Sequence, residues 1–595
     1  MSSADYIVLL LYLAGMVAIG LFFARQNKDA AQMFAAGGQS PWWTSGLSAF
    51  MTMFSAGTFV VWGGIAFRLG VVAIAINLCY GVAALLVGVF VAGKWKDLGI
   101  LTPAEYIELR FSRTALHFYT WWMMFYRVVN GGVALYAMCI LLVQSMVLAE
   151  GHPLRDPATG NLSLTWAIVI SGGVVVVYTM MGGLWGVLMT DVIQFIVLNL
   201  AVVFLVVVAL SQQTNWTSFV DESPDGFFWP LAPDAGYAWY FLIGWIVLHF
   251  FMIGAEWAYV QRYLCVSSSA DSQRSAYLFG VLYLVSPFLW LLPPLIHRLQ
   301  NPVPIGIGVE ELNALSERAY IDSCLSLLPD GMVGLMIAAM FSATASMMSS
   351  QLNVFAGVLT NDIYRPLAGP NVSQRRLVWA GRLFTFGIGI LFVAVALGVP
   401  RLGGAEKVVI AVTSLVVVPL LAPSLWGLFS SRVNQSGVWW TTGVSVAVAA
   451  VVKFGCVSGG WLSGGQVFDS TIALLASHEK VMDLLLGVLV PIVVLLLLQT
   501  LSRKTSVGWV RLSLAAEKLN LQQPLTNHNQ TPARTVAWSL IVCGGMMAML
   551  ALYDTEGQFI LTSFAAALLG VGIILLSTIT LLRRGVPREN THANL

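Results

Sequence analysis

The sequence predicts an all-α protein that crosses a membrane many times. Its 595 residues are 58% hydrophobic and only 10% charged, whereas an ordinary soluble domain is roughly 25% charged. Long apolar runs recur from Tyr6 to Leu582, and a helix needs about 20 apolar residues to cross the hydrocarbon layer. The runs are continuous, whereas a membrane-spanning barrel shows short segments of alternating polarity. We therefore expect a polytopic bundle of helices.

The apolar runs define about 15 transmembrane helices, separated by stretches rich in glycine, proline and charge. The first run follows an acidic start and has no persuasive cleavage site, so we expect it to remain as a membrane helix. The predicted helices lie near residues 6–24, 42–68, 70–93, 114–149, 165–182, 187–210, 238–262, 275–298, 331–360, 376–399, 406–430, 437–456, 481–501, 535–553 and 559–582.

Basic residues indicate the orientation, because Lys and Arg in short loops favour the cytoplasmic side. Placing the N-terminus outside puts most of the 30 Lys and Arg residues in cytoplasmic loops, including Lys94, Arg113, Arg375 and Arg583. The odd number of predicted helices agrees with this bias. We therefore expect a multi-pass protein of the inner cell membrane, with its N-terminus outside and its C-terminus in the cytoplasm.

Several classes of function are disfavoured by the sequence. The net charge of +2 and the scattered basic residues do not suit a nucleic-acid partner. The sequence contains no Walker-type glycine loop, no His-Glu-x-x-His zinc motif and no nucleophile elbow, so we do not expect an enzyme. It also lacks a repeated potassium-channel filter and a sizeable soluble domain, which disfavours a channel or a receptor. The remaining class of function is a transporter driven by an ion gradient.

Two of the predicted helices look breakable near their middles. The segment from Ser55 to Thr58 interrupts the second helix, and the segment from Gly254 to Glu256 interrupts the seventh. An unwound segment frees backbone carbonyls and amides to bind ions or solute. The alternative is that the glycines only allow close helix packing. The two segments lie five helices apart, which suits a pair of inverted five-helix repeats.

Hydroxyls and a carboxylate within the predicted helices could hold a cation. Ser346, Ser349 and Ser350 share one face of the ninth helix. Asp191, near the start of the sixth helix, would supply negative charge, and a carboxylate inside a membrane is a functional candidate by default. Alternatively, the serines pack or bond their own backbone, and Asp191 caps its helix beside Thr190.

Two more charged residues lie well inside predicted helices. Arg127 belongs to the fourth helix and Glu256 to the seventh. Either could meet a charged group of a solute, or the two could pair with each other, and the sequence leaves both possibilities open. We interpret His249, also in the seventh helix, as a packing residue rather than a ligand.

One segment resembles the signature of a known family. It extends from Tyr178 to Gly186 and continues from Thr190 to Gln194, departing from the family at Gly186, where Ser, Ala or Pro is usual. Supporting matches are Ser40 to Trp43, Gln261 with Arg262, Leu328 and Pro329 with Gly331, and Asn361 to Tyr364. Through these motifs the chain, over roughly residues 5 to 460, resembles the sodium:solute symporters, to which sodium/glucose, sodium/proline and sodium/sialic acid carriers belong.

The resemblance implies a leucine-transporter-like fold with a defined division of the chain. Residues 1–41 would hold a leading helix and the first cytoplasmic loop, and residues 42–430 a ten-helix inverted-repeat transport core. Two trailing helices would follow in 431–501, then a cytoplasmic linker in 502–534 with a surface helix. The last helix pair and the C-terminal tail would occupy 535–595.

The resemblance also implies sodium sites. The conserved site falls on the carbonyls of Met51, Phe54 and Ala343 and on the hydroxyl of Ser346. A neighbouring family serine is Met347 here, which removes one oxygen. The additional ion of some family members, such as sialic acid carriers, would be held here by Asp191, Ser346, Ser349 and Ser350.

The positions of a substrate site are implied in the same way. Thr58, Asn77, Glu256 and Tyr283 resemble positions that line the sugar pocket of the bacterial sodium/galactose carrier. They do not reproduce that carrier's polar and basic side chains, so no sugar is inferred. Arg127 is the further candidate, because it is a charged residue deep in a helix.

These residues predict sodium-coupled symport of a small organic solute by alternating access. Na⁺ is the coupling ion, no other metal or cofactor is expected, and the partners are the solute, the ion and the bilayer, with the chain acting as a monomer. Two alternatives stay open. One is a transporter-like sensor that binds solute without moving it, and the other is proton-coupled symport through Asp191.

Overall fold

The computed structural model is built from helices. It describes residues 2–24, 40–100, 102–179, 184–212, 223–304, 307–369, 372–402, 405–452, 479–520, 531–551 and 558–584. Within these ranges no β-strand occurs, and the extended backbone forms only isolated bridges, such as that between Ser40 and Val266. The predicted all-helical architecture is thereby confirmed.

We number the helices in chain order. The first part of the chain forms α1 (Ser3–Ala24), α2 (Trp42–Met53), α3 (Thr58–Leu69), α4 (Val72–Asp97), α5 (Pro103–Arg110), α6 (Arg113–Ser145), α7 (Leu164–Thr179) and α8 (Leu184–Ser211). The second part forms α9 (Trp239–Ala255), α10 (Trp257–Leu264), α11 (Ser269–Gln300), α12 (Val309–Leu327), α13 (Met332–Ala368), α14 (Gln374–Gly398), α15 (Ala405–Gly427), α16 (Gln435–Ala450), α17 (Lys480–Leu501), α18 (Val507–Asn520), α19 (Thr531–Ala551) and α20 (Gln558–Arg584).

Many of these helices are long and apolar enough to cross a membrane. Among the residues that the structure describes, 8 helices pass this test, or up to 10 if each of two bent pairs counts as one span. The bent pairs are α2 with α3, at an angle of 61°, and α9 with α10, at 54°. The bends fall at the two segments that the sequence predicted to break.

One helix of each bent pair, α2 and α10, contacts α13, whose apolar stretch is entirely buried. Helix α2 packs against α8, α11 and α13, while α9 packs against α4 and α15. Helix α13 also contacts α6 and α1. The polar side chains of this stretch are therefore enclosed by protein rather than by lipid, which is the setting in which polar groups persist inside a membrane.

The leading helix α1 is tied to the start of α13 by one carboxylate. Asp5 Oδ1 accepts hydrogen bonds from the backbone N–H groups of Gly331 and Gly334, both at 2.8 Å. These N–H groups belong to the first turn of α13, where they have no partner within the helix. Gly331 has φ +88°, a left-handed conformation that glycine adopts without strain. Asp5 thus caps α13 across a distance of more than 300 residues along the chain.

Helices α5, α12 and α18 are short or polar, and none of them is among the candidate spans. Helix α5 connects α4 to α6, and α12, which carries Glu310 and Glu311 in its first turn, was not predicted because its sequence has no long apolar run. Helix α18 is the surface helix expected in the 502–534 linker; residues 521–530 of that linker lie outside the described part of the chain.

Candidate ion and solute site

The break between α2 and α3 is held against α13 by a hydroxyl. Phe54 adopts an extended conformation, with ψ 133°, and ends α2. The N–H of Ala56 donates to Thr344 Oγ1 at 2.9 Å, and the same hydroxyl donates to the carbonyl of Met340 at 3.0 Å. Thr344 therefore satisfies an amide that no helix satisfies, and it fixes the break beside α13.

The predicted sodium ligands are divided between the two sides of this contact. Met51 and Phe54 lie at the end of α2, and Ala343 and Ser346 flank Thr344 in α13. The carbonyl of Met51 accepts from the N–H of Phe54 at 3.1 Å, and the Ser346 hydroxyl donates to a carboxylate on α8. The end of α2 and the part of α13 around Thr344 thus lie next to each other.

The carboxylate that Ser346 contacts is Asp191, in the interior of α8 and 2% exposed. Ser346 Oγ donates to Oδ1, and Ser48 Oγ of α2 donates to Oδ2 at 2.5 Å. Helix α8 begins at Leu184, seven positions earlier, so Asp191 does not cap it. Asp191 instead joins α8 to α2 and α13. Residues 180–183 of the segment that resembles the family signature lie outside the described residues.

Arg262 of α10 is the cation beside Asp191. Its Nη2 lies 4.0 Å from Asp191 Oδ2, its Nε donates to Ser48 Oγ at 3.2 Å, and Nη2 donates to Ser350 Oγ at 3.3 Å. Ser349, by contrast, donates to the Ser346 carbonyl of its own helix. Of the residues predicted for a second sodium ion, Asp191 and Ser346 are in direct contact, while Ser350 contacts Arg262. Neither Ser48 nor Arg262 was predicted as a site residue.

The second break, between α9 and α10, is built around an ion pair. Glu256 ends α9 with ψ 135° and immediately precedes α10. Arg127 Nε of α6 donates to Glu256 Oε1 at 3.0 Å, and Nη2 lies 2.5 Å from Oε2. The side chain of Glu256 is 0% exposed and that of Arg127 5%. Of the two possibilities left open by the sequence, the structure contains the pairing of these residues with each other.

A central cavity with an empty volume of about 720 Å³ opens next to both breaks. Thr58 lines it from the first break and Arg127 lines it beside the second. Aromatic side chains form much of its wall, namely Trp62, Tyr80, Tyr126, Trp245, His249 and Tyr259. His249 Nδ1 lies 2.8 Å from the Trp245 carbonyl, so this residue both packs within α9 and faces the cavity.

The remaining predicted substrate residues lie behind this wall. Asn77 donates to the Ala73 carbonyl at 2.9 Å, and the ring of Tyr283 packs against Phe50, with centroids 4.9 Å apart. Glu256 does not line the cavity itself but pairs with Arg127, which does. None of these three is among the described residues that line the cavity. The aromatic wall itself was not predicted, because tryptophan is equally common at membrane interfaces.

A larger and more polar vestibule adjoins the central cavity. It has an empty volume of about 1550 Å³, and Val61 of α3 lines both spaces. Glu406 connects its walls, because it pairs with Arg68 of α3 and accepts from Tyr237 Oη at 2.9 Å and Lys480 Nζ at 3.1 Å. The central cavity is therefore bounded on this side by one turn of α3.

Glu317 of α12 faces the same vestibule. It accepts from Tyr136 Oη at 3.2 Å and from the N–H of Ala405 at 3.3 Å. Burial raises the pKa of the Glu317 carboxyl, although both hydrogen bonds favour its charged form. The carboxyl thus connects α12 to α6 and to the start of α15.

Comparison with known proteins agrees with this architecture. The model of the sodium:solute symporter family matches residues 33–444. The sodium/glucose cotransporter of Vibrio parahaemolyticus is 27% identical over 489 residues, which are 76% of this chain and 86% of the relative. The sodium/sialic acid symporter SiaT of Proteus mirabilis is 26% identical over 471 residues, 75% of this chain and 88% of the relative.

A solved structure shares the fold. It is that of a Na⁺-coupled sialic acid symporter in a substrate-bound outward-open state, with a TM-score of 0.63 and 22% identity, and the match covers 83% of this chain and 98% of the other. The relatives are transporters, and the multi-pass helical architecture agrees with theirs. Because the family model spans more than half of the sequence, this chain belongs to the sodium:solute symporter family.

Proposed function

We propose that the chain is a sodium-coupled symporter that moves a small organic solute by alternating access. The observation that carries the proposal is the meeting of two broken helices at one buried cavity, with the first break fixed against the hydroxyl-rich helix α13. Broken helices expose carbonyl and amide groups where ions and solutes bind inside a membrane. Family membership and the sodium-coupled relatives support the choice of ion.

One sodium ion would bind between α2 and α13. Its ligands would be the carbonyls of Met51, Phe54 and Ala343 and the hydroxyl of Ser346. All four are neutral oxygen donors, the kind that a hard cation prefers. Sodium here would bridge the break to α13 and so favour the conformation in which the solute site is formed.

A second sodium ion would bind at Asp191 with Ser346, Ser349 and Ser350. Arg262 already lies 4.0 Å from this carboxylate, so sodium and guanidinium would compete for the same negative charge. Ion binding at this site would then require Arg262 to move away. Because Arg262 belongs to α10, such a movement would couple ion binding to the second broken helix.

The solute would occupy the central cavity between the breaks. Thr58 and Arg127 would contact it directly, and Glu256 would act through Arg127. Asn77 and Tyr283 stay in the proposed substrate site as residues of the surrounding layer. With Arg127 and Glu256 paired, the cavity wall has balanced charge, which suits a solute with no net charge better than an anion.

The wider architecture follows from the same proposal. The two broken helices would open two inverted five-helix repeats within residues 42–430, in a bundle of about 15 spans. The N-terminus would lie outside and the C-terminus in the cytoplasm of a cell membrane, as the distribution of basic residues favours. We propose that the monomer is the transporting unit.

Uptake into proteoliposomes tests the function. Candidate solutes are first chosen by a thermal-shift screen of the purified protein against sugars, amino acids, carboxylates and vitamins, in sodium and in potassium buffer. Uptake of the stabilising solute should then require an inward sodium gradient. Ser346→Ala should raise the sodium concentration for half-maximal uptake several-fold, while Ser326→Ala, which changes an exposed serine on α12, should leave it unchanged.

The same vesicles distinguish the alternatives. A sensor would bind solute but give no counterflow of labelled solute into vesicles preloaded with unlabelled solute. A proton-coupled symporter would accumulate solute under a pH gradient in sodium-free buffer. Either result would replace sodium symport as the function of this chain.

A further inference from the structure

Helix α18 presents an apolar face that no part of the described structure covers. Val507, Val510 and Leu514 are 76%, 48% and 55% exposed, and their spacing of three and four residues places them on one side of the helix. Another side of α18 is buried, since Leu512 is 4% exposed and the helix packs against α5. Helix α18 therefore has two apolar faces, of which the described part of the protein covers one.

Helix α18 begins close to the end of a candidate membrane span. Helix α17 is a candidate span that ends at Leu501, and α18 begins at Val507. Five intervening residues extend at most about 18 Å, so the first turn of α18 cannot lie far from the end of the span. An apolar helix face at this depth is typical of helices that lie in the boundary between headgroups and acyl chains.

Basic residues accompany the apolar face. Arg503 and Lys504 precede α18 and are exposed, as is Arg511 within it. Arg511 follows Val507 by four residues and so lies beside the apolar face. From residue 502 to residue 520 the chain has four basic residues and a single acidic one, Glu517. This combination of apolar and basic side chains is complementary to a bilayer surface, in which negatively charged headgroups cover apolar acyl chains.

We propose that α18 is a binding surface for anionic phospholipids of the surrounding bilayer. Val507, Val510 and Leu514 insert among the acyl chains, while Arg503, Lys504 and Arg511 bind the phosphate groups. Each basic residue near an anionic surface strengthens attachment about five-fold, so the three together contribute on the order of 100-fold. The neutral apolar insertion alone gives only weak attachment.

The lipid surface is connected to the transport core through Arg110. This buried side chain of α5 donates to Ser506 Oγ at 2.9 Å, immediately before α18, and to the Gly427 carbonyl at 3.0 Å, at the end of α15. It also donates to the carbonyls of Ser430 and Val433, both at 2.7 Å. Helix α15 lines both cavities near its other end. Attachment of α18 to lipid therefore restrains the end of a helix that borders the central cavity.

Hydrogen exchange of the full chain in nanodiscs tests the proposal. The probe is the lipid itself, with phosphatidylcholine alone compared with a mixture of phosphatidylcholine and phosphatidylglycerol. Amides of residues 503–520 should exchange at least about tenfold more slowly in the anionic discs. The difference should disappear at high salt, because screening weakens attraction between exposed charges.

Matched variants identify the residues. Arg503→Gln/Lys504→Gln/Arg511→Gln should abolish the difference between the two lipids, whereas Arg365→Gln/Arg376→Gln/Arg401→Gln, which removes three exposed charges elsewhere, should preserve it. Exchange of α15 in each variant reports whether the bundle is intact. Equal exchange of wild-type α18 in both lipids, or a difference that persists in the first triple variant, would overturn the proposal.

Discussion

The two helix breaks serve the same cavity but are stabilised by opposite kinds of chemistry. At the break between α2 and α3 a neutral hydroxyl, that of Thr344, satisfies one backbone amide. At the break between α9 and α10 a buried ion pair joins Arg127 to Glu256. A neutral hydrogen bond contributes about 1 kcal/mol net. Loss of one partner of a buried ion pair costs about 3–5 kcal/mol, because a charge is left without compensation.

The second break therefore permits fewer alternative arrangements of its side chains than the first. A buried ion pair adds little net stability over an apolar pair of the same size, yet it strongly penalises any arrangement in which the charges separate. The first break carries no such penalty, so an ion can join its oxygens without first removing a charge. The proposed sodium site at the first break and the proposed solute position at the second agree with this difference.

The largest effect is expected from Glu256→Gln. The amide keeps the shape but leaves the Arg127 guanidinium uncompensated, so the unfolding free energy should fall by about 3–5 kcal/mol. Denaturant or thermal unfolding of the purified protein measures it. The double variant Arg127→Gln/Glu256→Gln should recover most of the loss, because no charge is then left unpaired. If Glu256→Gln is as stable as wild type, the ion pair does not distinguish the second break from the first.

The next effect concerns the charged cluster next to the first break. Asp191→Asn deletes the charge that we propose to hold a second sodium ion, so the dependence of uptake on sodium should change from sigmoidal, with a Hill coefficient of about 2, to hyperbolic, about 1. Asp271→Asn, at the start of α11 and outside the cluster, serves as the control. A wild-type curve that is already hyperbolic, with Asp191→Asn accumulating solute equally well, would leave one sodium ion and a structural role for Asp191.

A smaller effect is expected from Thr344→Val. Valine has nearly the same shape but cannot accept from the N–H of Ala56, so the variant should lose about 1–3 kcal/mol of stability. Amide exchange of residues 54–58 should accelerate, because these residues form the break. Thr344→Ser keeps the hydroxyl and should retain most of the protection. Unchanged exchange in Thr344→Val would show that the break is held by other contacts.

The smallest effect is expected at the vestibule, from Glu317. Because the folded structure raises the pKa of this carboxyl, the protonated form is favoured on folding. Its stabilising contribution is complete below the ordinary glutamate pKa of about 4.3 and is lost as the pH rises through the higher folded value. Above a pH of about 4.3, the unfolding temperature should therefore change less with pH in Glu317→Gln than in wild type. An identical pH profile would mean that this carboxyl keeps its ordinary pKa.

The sequence was most informative where a local rule applies. Small and polar residues within apolar runs at 55–58 and 254–256 predicted both breaks, since such residues interrupt helices regardless of what surrounds them. The carboxylate at position 191 was also a candidate from the sequence, because charge inside a membrane rarely persists without function. Its orientation, toward Ser48 and Ser346 rather than toward its own helix end, depends on the packing of α2 and α13.

The contacts that the sequence did not predict are long-range. In the sequence, Arg262 belongs to a motif at the end of the seventh predicted helix. It lies beside Asp191 in the structure, beyond the bend of 54° between α9 and α10. Asn77 and Tyr283 occupy implied pocket positions but lie behind the aromatic wall, which forms from helices far apart in the chain. Helix α12 was missed because its polarity resembles that of a loop.

Val61 lines both the central cavity and the vestibule, so the two spaces adjoin at this residue. An inhibitor could therefore be assembled from two linked fragments, a compact one for the inner space and a polar one for the outer. A short linker past Val61 would raise the effective concentration of the second fragment to the millimolar range. The larger side chain of Val61→Phe would obstruct the linker. The variant should therefore weaken the binding of linked inhibitors more than the binding of compounds that occupy only one space.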